Sequence, residues 1–238
     1  MDLKAVILAA GQGKRLMPLT SELPKSLLDI KGKSILERIL DNLLECGINE
    51  AAIVVGFQEE KIRGKIGTEY RGIRVTYITN PLYKITNNIF SVWLCHEYGR
   101  EGFLLINGDD VFDSKILHNI VNSEHANAAV IDLSKTNLPE EAMKATVKNG
   151  LLTAVSKKIP PSETSGDAIG IYKFSEEGAT RLFTEIKQLL LDEQHNTFYL
   201  VALDKLIKNF EFHAIATEDT WWDEIDDLND YNNVLARF

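Results

Sequence analysis

Residues 3–25 read L-K-A-V-I-L-A-A-G-Q-G-K-R-L-M-P-L-T-S-E-L-P-K, and this stretch decides the fold. It opens on an apolar run, Ala5–Leu8, whose length suits a fully buried strand. Two small residues, Ala9 and Ala10, then reduce the side-chain bulk where the strand ends. A buried strand that runs into small residues predicts a place where a ligand meets the edge of a sheet.

The loop after this strand combines glycines with positive charges. Gly11 and Gly13 let the backbone approach a ligand closely, and Lys14, Arg15 and Lys25 add three cations. Backbone N–H groups and cations together suit a phosphate chain. The loop lacks the third glycine of a dinucleotide-binding loop and the G-K-[S/T] ending of a Walker A loop. The alternative is an ordinary connection with solvated basic side chains.

The length, composition and net charge of the chain exclude some classes of function. The chain has 238 residues, 45% hydrophobic and 26% charged, which are ordinary values for a globular protein. A net charge of −9 argues against a nucleic-acid partner. The apolar run Ala5–Ala10 is too short for a signal peptide or a membrane span, so we expect no membrane partner. Cys46 and Cys95 show no metal spacing, and we expect buried thiols in a cytoplasmic protein.

Strands and helices alternate in the first half of the chain. Helices are predicted at Gln58–Ile66, at Asn87 to about Glu97, and after Ser34, where S-I-L-E is a capping box. Buried strands are predicted at Ala5–Leu8, Ala51–Val55, Val75–Ile78 and Phe103–Ile106. This alternation implies a mostly parallel, Rossmann-like α/β sheet with helices on both faces. Ligands of such sheets bind beyond the carboxyl ends of the strands, where Gly11, Gly56, Asn80 and Asp109 fall.

In the second half of the chain the pattern changes, and short predicted strands follow one another with few helices between them. Asn149-Gly150 is a strong hairpin signal between strands at Ala145–Val147 and Leu151–Val155. Further elements are predicted at Ala128–Ile131, Ala168–Phe174, Ser175–Leu191, Phe198–Lys208, Phe212–Ile215 and Leu228–Ala236. We expect a small antiparallel extension of one domain, 1–238, with a nucleotide-binding half at 1–125 and an acceptor-binding half at 126–238.

Acidic residues stand at two places that could hold a metal ion. Asp109 follows a predicted strand, and Glu224 and Asp226 point to one side if their segment is extended. Mg²⁺ prefers a few such hard oxygen ligands, with the rest supplied by phosphate and water. Asp110 is expected to be a solvated turn residue. The alternative for the residues 223–230 is an exposed acidic helix start.

Four motifs together resemble one enzyme family. They are A-V-I-L-A-A-G-x-G-x-R-L-x-P-L-T at the start, N-P-L-Y-x-x-T-N-N-I-F-S at 80–91, I-N-G-D-D-V-F at 106–112 and W-x-E-I-D-x-x-x-D-Y at 222–231. The set resembles the nucleoside-triphosphate:sugar-phosphate nucleotidyltransferases, with a GT-A-like fold. The last three motifs are similar to those of the phosphocholine and phosphonate cytidylyltransferase branch.

The resemblance implies Mg²⁺-dependent transfer of a nucleotidyl group, preferably from CTP, to a small phosphorylated acceptor. It implies catalytic roles for Lys25, Arg15 and Asp109, and Mg²⁺ ligation by Asp109, Glu224 and Asp226. The nucleotide-binding residues that we expect are Ala9, Ala10, Gly11, Gly13, Arg15, Lys25, Gly56, Asn80, Asn88 and Ser91.

The acceptor side is the part of the resemblance with the weakest motifs. It implies that Lys144 or Lys157 grips the acceptor phosphate, that Asp167 faces its head group and that Trp222 forms an aromatic wall. Lysines are more often solvated surface residues, and one of two adjacent tryptophans is usually a core residue. The sequence does not choose between choline phosphate, ethanolamine phosphate, 2-aminoethylphosphonate, inositol phosphate and a sugar phosphate as the acceptor. It is also compatible with a homo-oligomer.

Two other functions also fit the sequence. One is the same chemistry with UTP or dTTP and a sugar 1-phosphate. The other is a nucleotide-binding regulatory module without catalysis.

Overall fold

The computed structural model describes residues 3–135, 138–218 and 220–238. Its strands are β1 (Ala5–Leu8), β2 (Asp29–Ile30), β3 (Lys33–Ser34), β4 (Glu50–Val55), β5 (Glu69–Tyr70), β6 (Ile73–Thr79), β7 (Gly102–Asn107), β8 (Asp110–Phe112), β9 (Ala128–Asp132), β10 (Lys144–Lys148), β11 (Leu151–Val155), β12 (Gly166–Ser175), β13 (His213–Ala216) and β14 (Trp222–Glu224). Its helices are α1 (Ile35–Glu45), α2 (Glu59–Ile66), α3 (Asn88–Trp93), α4 (His96–Gly99), α5 (Ser114–Asn122), α6 (Glu176–Leu191), α7 (Leu200–Leu206) and α8 (Leu228–Arg237).

A ten-stranded sheet runs through the molecule in the order β10-β11-β13-β9-β12-β7-β1-β4-β6-β5. The strands β7, β1, β4 and β6 are parallel neighbours. The long strand β12 pairs antiparallel with both β7 and β9, and so joins the second half of the chain to the parallel part. The predicted fold class, a mixed sheet with a parallel core and a small antiparallel extension, is confirmed. The division into halves at residue 125 stays a prediction.

The first strand explains why both faces of the sheet are covered. Ala5 and Ile7 belong to one hydrophobic core, and Val6 belongs to a second core on the opposite face. All three side chains are fully buried. Because consecutive strand residues point to opposite faces, a continuous apolar run requires helices on both sides. Helices α1 and α5 contribute to the first core, and α3, α6 and α7 contribute to the second.

Local signals set several of the predicted elements. Ser34 and Glu37 form the predicted capping box of α1, and Gly47 follows that helix with a φ of +74°. Asn149 and Gly150 both have positive φ, and β10 and β11 pair antiparallel as expected. None of the described helices is both long and apolar enough to cross a bilayer.

Two helical regions differ from the prediction. The helix expected at Asn87–Glu97 is two short helices, α3 and α4, separated by residues 94 and 95. Helix α5 was not predicted, although Asp113 caps it by accepting a hydrogen bond from the Lys115 N–H. Of the two cysteines, Cys95 is buried as expected and Cys46 is partly exposed.

Candidate active site

A cleft opens at the carboxyl ends of β1, β6 and β7. Its cavity has a volume of about 340 Å³, within the usual range for small-molecule sites. Both halves of the chain contribute to it. The wall includes Leu8, Ala9, Ala10, Gly11, Arg15, Lys25, Asn80, Tyr83, Asn88, Ser91, Asn107, Asp109, Asp110, Met143, Lys157, Gly170, Tyr172, Phe198, Trp222, Glu224 and Asp226.

The basic loop reaches this cleft through Lys25. Gly13 lies outside the cavity wall, with a φ of +69°, and a Cβ placed on it would stand 3.0 Å from the Cβ of Lys25. The Thr20 hydroxyl donates to the Gly13 carbonyl oxygen at 2.7 Å and holds the turn. The absence of a side chain at Gly13 therefore leaves room for the Lys25 side chain to extend into the cleft. The spacing of the glycines alone did not indicate this role.

Lys25 joins two parts of the chain that are far apart in sequence. Its Nζ donates to Asp109 Oδ2 at 2.7 Å and to Asp226 Oδ1 at 2.8 Å. Arg15 adds a second cation, 2.7 Å from Asp226 Oδ2. Burial alone would lower the pKa of Lys25, but the charges of the two aspartates and their hydrogen bonds raise it above its ordinary value. Lys25 therefore stays charged inside the cleft.

Three carboxylates converge beside Lys25. Oxygen atoms of Asp109, Glu224 and Asp226 all lie within 4.8 Å of one another. Asp109 follows β7 through Gly108, which packs so closely on the Leu8 carbonyl oxygen that a Cβ would collide with it. Glu224 ends strand β14, which pairs with β8, and Asp226 follows two residues later. The Ile225 N–H between them donates to the Asp109 carbonyl oxygen at 3.1 Å and holds this segment beside Asp109.

The electrostatics of this cluster favour a bound cation. The Glu224 side chain is accessible from the cleft but surrounded by protein, and burial with the charges of Asp109 and Asp226 raises its pKa to about 8. Burial also acts against ionised Asp226, but Lys25 and then Arg15 keep its pKa below the usual value. The three carboxylates offer hard oxygen ligands, and their negative charges repel one another. A divalent ion such as Mg²⁺ would relieve this repulsion. The described residues can therefore hold the predicted metal.

Asp110 does not occupy the solvated turn expected of it. It begins β8, is only 2% exposed and contributes to the cavity wall. Its Oδ2 atom has no hydrogen-bond partner within the described residues. Burial, Asp109 and Glu224 raise the pKa of Asp110 well above its usual value. The expectation was wrong because the pairing of β8 with β14 encloses this residue.

Of the ten residues expected to bind the nucleotide, eight line the cleft, and Gly13 and Gly56 do not. The amide of Asn80 donates to Ser91 Oγ at 3.0 Å and accepts from the Leu82 N–H at 2.9 Å. The Asn88 side-chain oxygen accepts from the Tyr199 N–H at 3.0 Å, so it ties α3 to the segment before α7. Gly56 lies behind the wall, where a Cβ would stand 2.9 Å from Tyr83. Gly56 therefore allows Tyr83 to pack, which differs from the expected direct contact with nucleotide.

The four residues expected on the acceptor side divide into two pairs. Lys157 and Trp222 line the cavity, whereas Lys144 and Asp167 do not. Lys144 is 1% exposed, and its Nζ donates at 2.9 Å to the carbonyl oxygens of Glu140 and Lys157. This position argues against the expected grip on an acceptor phosphate. Asp167 is largely enclosed, and burial raises its pKa to about 6.

Trp222 is held in place from two sides. Its indole N–H donates to Asp132 Oδ2 at 2.7 Å, and the Nζ of Lys135 lies 4.0 Å from its ring centroid. One face of the indole therefore already carries a cation. Only the part of the Trp222 ring that lines the cavity is therefore available to contact an acceptor amine.

Several wall residues were not predicted from the sequence. Asn107 belongs to the I-N-G-D-D motif, so its place at a strand end was a usable signal. Tyr83 belongs to the N-P-L-Y motif, so its place was also a usable signal. Phe198 had no distinguishing pattern, and Tyr172 lies within an apolar strand, where the sequence predicts a core residue. These positions depend on how β12 and the loops pack, which local sequence does not encode.

The whole chain matches a known family. The family model described as nucleotidyl transferase matches residues 4–236. The chain belongs to this family. The predicted resemblance is thereby confirmed, and this nucleotidyltransferase is an enzyme.

Curated relatives of this nucleotidyltransferase use different substrates. It is 34% identical over 64% of its length to a CMP-5'-(3-aminopropyl)phosphonate synthase of Streptomyces rubellomurinus, covering 24% of that protein. It is 32% identical over 98% of its length to the bifunctional protein GlmU of Methanococcus vannielii, covering 56% of it. The chain thus spans about a quarter and just over half of these two relatives. It is 26% identical, over 99% of its length and the full length of the relative, to a CTP:phosphoglutamine cytidylyltransferase of Campylobacter jejuni.

Solved structures confirm the fold of this nucleotidyltransferase. The CTP:phosphocholine cytidylyltransferase of Streptococcus pneumoniae superposes with a TM-score of 0.82 at 22% identity, covering 100% of this chain and 99% of that one. The inositol-1-phosphate CTP transferase of T. maritima gives 0.81 at 20% identity, covering 100% and 96%. At these identities the likeness establishes the architecture alone.

Proposed function

We propose that this nucleotidyltransferase joins CTP to a small acceptor that carries a phosphate or phosphonate group, and releases pyrophosphate. The observation that carries the proposal is the convergence of Lys25 and Arg15 with Asp109, Glu224 and Asp226 at one end of the cleft. The choice of CTP is supported by the relatives named for CMP and CTP products or substrates.

The reaction needs no nucleophile from the protein. An oxygen of the acceptor phosphate or phosphonate attacks the α-phosphorus of CTP, a new P–O bond forms, and the bond from the α-phosphorus to the bridging oxygen breaks. The electron pair leaves with pyrophosphate. Because the acceptor oxygen is already anionic, the enzyme mainly has to bring two polyanions together and align them. Two unit charges about 4 Å apart repel by roughly 4 kcal/mol at an effective dielectric constant of 20.

The chain's own cations offset this repulsion. Lys25 is oriented by its two aspartate partners and stays charged, so it can face the phosphates where negative charge develops. Arg15 lies at the exposed side of the same cluster, where it can meet the β- and γ-phosphates. The Gly11 backbone in the cavity wall allows the phosphate chain to approach closely.

Mg²⁺ is the cofactor that we propose for the carboxylate cluster. Asp109, Glu224 and Asp226 would hold it, and when bound it supplies positive charge to the phosphate oxygens. On the nucleotide side, we propose that Ala9, Ala10, Asn80, Asn88 and Ser91 surround the base and ribose.

A second function has specific support. The GlmU relative aligns with 98% of the chain, and a UDP-glucose pyrophosphorylase superposes with a TM-score of 0.83 at 16% identity. The alternative is therefore transfer from UTP or dTTP to a sugar 1-phosphate. Membership of an enzyme family takes away the support for a silent regulatory module.

A substrate panel tests the proposal. Purified enzyme with Mg²⁺ is given each of CTP, UTP, dTTP and ATP with each of five acceptors: phosphocholine, 2-aminoethyl phosphate, 2-aminoethylphosphonate, inositol 1-phosphate and glucose 1-phosphate. We expect pyrophosphate release to be at least ~10-fold faster with CTP and one of the first four acceptors. Faster release with UTP or dTTP and glucose 1-phosphate would replace the proposal by the alternative.

A further inference from the structure

Strand β14 carries Glu224 but is not part of the ten-stranded sheet. It pairs with β8 in a separate sheet of two strands, and each of these strands has three residues. So short a two-stranded sheet is marginally stable on its own. Trp222 and Glu224 contribute to the cavity wall, and Asp223 between them does not, which agrees with the alternation of side chains along a strand. The position of Glu224 therefore depends on what else holds β14.

A side-chain hydrogen bond connects β14 to the large sheet. The indole N–H of Trp222 donates at 2.7 Å to Oδ2 of Asp132, which is the last residue of β9. The two residues are 90 positions apart in the chain, and both are buried, with exposed fractions of 8% and 4%. A hydrogen bond to a carboxylate is stronger than one between neutral groups, and burial strengthens it further. This bond therefore fixes the start of β14 relative to β9.

The turn after β9 orients the Asp132 carboxylate. Its Oδ1 accepts from the Ser134 N–H at 3.0 Å and from the Ser134 hydroxyl at 2.6 Å, which leaves Oδ2 for the indole. The main chain is confined as well, because a Cβ at Gly166 would collide with the Asp132 carbonyl oxygen. Burial acts against ionised Asp132, but the hydrogen bonds from Ser134 and Trp222 keep its pKa below the usual value. Asp132 is thus an acceptor that is already oriented toward the indole.

The main-chain bonds of the β14 segment go to a different part of the molecule. The Asp113 N–H donates to the Trp221 carbonyl oxygen at 3.0 Å, and the Ile225 N–H donates to the Asp109 carbonyl oxygen at 3.1 Å. With the β8 pairing, these bonds attach β14 to residues 109–113. The indole bond adds an attachment on the side of β9. Two attachments on different sides restrict the tilt of β14, and hence the direction in which the Glu224 side chain points.

We propose that Asp132 is a positioning residue for the reaction, which acts through Trp222 to hold β14 and Glu224 at the metal site. The same bond fixes the part of the indole that lines the acceptor side of the cleft. Asp132 itself lies outside the cavity wall, so it acts on the substrates and the ion only through its partner. This inference rests on the proposed function, because Glu224 is a ligand of the proposed metal site.

A double-mutant cycle on metal binding tests this inference without turnover. Electron paramagnetic resonance of free Mn²⁺ gives the affinity of Asp132→Ala, of Trp222→Phe and of the double variant. We expect each single variant to bind Mn²⁺ at least ~5-fold more weakly than wild type, since loss of a group that directly orients a metal ligand costs about 10- to 100-fold. The double variant should lose no more than ~2-fold beyond Trp222→Phe, because both substitutions remove one bond.

Two results of this cycle would overturn the inference. One is wild-type affinity in both single variants, and the other is a double variant in which the two losses multiply. Thermal unfolding checks that each variant is folded. If Asp132→Ala does not fold, Trp222→Phe removes the same hydrogen bond and decides by the same ~5-fold criterion.

Two further variants separate the hydrogen bond from charge and from stability. Asp132→Asn keeps an oxygen that can accept from the indole, and its amide can donate to the Ser134 hydroxyl, so Mn²⁺ affinity should stay within ~2-fold of wild type. An affinity as low as that of Asp132→Ala would show a direct effect of charge and contradict the inference. The control is Asp204→Ala, which removes a carboxylate that accepts from the Val155 N–H at 2.9 Å. It should keep wild-type affinity, and a ~5-fold loss there would overturn the inference as a general effect of destabilisation.

Steady-state kinetics separates this inference from the proposed function. With saturating Mg²⁺, Asp132→Ala should raise the acceptor KM by ~3-fold or more, because the indole in the acceptor wall is released, and should change the KM of CTP by less than ~2-fold. Equal rises in both KM values would show a general distortion of the cleft and contradict the inference. If no acceptor of the panel gives pyrophosphate, the proposed function fails, whereas the Mn²⁺ cycle still decides the role of Asp132.

Discussion

Lys25 Nζ lies 2.8 Å from Asp226 Oδ1, although 201 positions separate the two residues. The same ammonium group lies 2.7 Å from Asp109 Oδ2, so one side chain connects the start, the middle and the end of the chain. In the proposed reaction this cation faces phosphate groups, and the carboxylates face a metal ion. Each partner can be tested separately.

Removal of Lys25 should abolish most of the activity without unfolding the protein. With saturating Mg²⁺, we expect Lys25→Ala to lower kcat at least ~100-fold, because no other buried cation in the described wall can take its place at the developing charge. Pyrophosphate release measures kcat, and thermal unfolding checks the fold. Lys14→Ala is the matched control, since Lys14 is an exposed residue of the same loop outside the wall. A kcat within tenfold of wild type would refute the role of Lys25.

Metal affinity should depend on the carboxylate cluster. We expect Asp109→Asn and Glu224→Gln each to weaken Mn²⁺ binding by at least ~10-fold, as measured by electron paramagnetic resonance of free Mn²⁺, because each loses one hard oxygen ligand. Asp223→Asn changes the charge equally at a neighbouring position on β14 and should bind Mn²⁺ like wild type. If both ligand variants kept wild-type affinity, the metal site would lie elsewhere.

Substitution of Lys144 should lower stability, whereas substitution of Lys157 should weaken acceptor binding. Lys144→Met leaves carbonyl oxygens without a buried donor, so we expect a loss of about 2 kcal/mol in the free energy of unfolding, measured by urea denaturation. Lys157→Met removes a cation from the cavity wall and should raise the acceptor KM by ~5-fold or more with little change in stability. The reverse pattern would restore Lys144 as the phosphate ligand.

Asp167 should make the stability of the protein depend on pH. Burial raises its pKa to about 6 in the folded state, above the usual value, so the folded state binds the proton more tightly. Its contribution to stability is fully present below the unfolded pKa and is lost as pH rises through about 6. Asp167→Asn should therefore stabilise the protein by about 1 kcal/mol more at pH 7.5 than at pH 5 in urea denaturation. Exposed Glu211→Gln is the control; an equal gain at both pH values would show that Asp167 is not perturbed.

The fold was largely predictable because its signals are local. Continuous apolar runs marked β1, β4 and β7, and S-I-L-E marked the start of α1. The three carboxylates could be identified as well, since each stands at the end of an extended segment. The sequence alone did not place Lys144 or Asp110, because their surroundings come from strand pairings between distant segments. Similarly, Tyr172 contributes to the cavity wall because β12 pairs with β7, so no local pattern marks it.

The pairing of β14 with β8 also determines when the site comes into being. Glu224 and Asp226 reach Asp109 only when residues 222–224 have docked antiparallel on residues 110–112. All ten strands of the large sheet precede β14 in the chain and can pair before β14 leaves the ribosome. A nascent chain therefore carries the glycine loop and Lys25 well before it carries a complete set of metal ligands, and its catalytic competence waits for β14 to be synthesised and docked on β8.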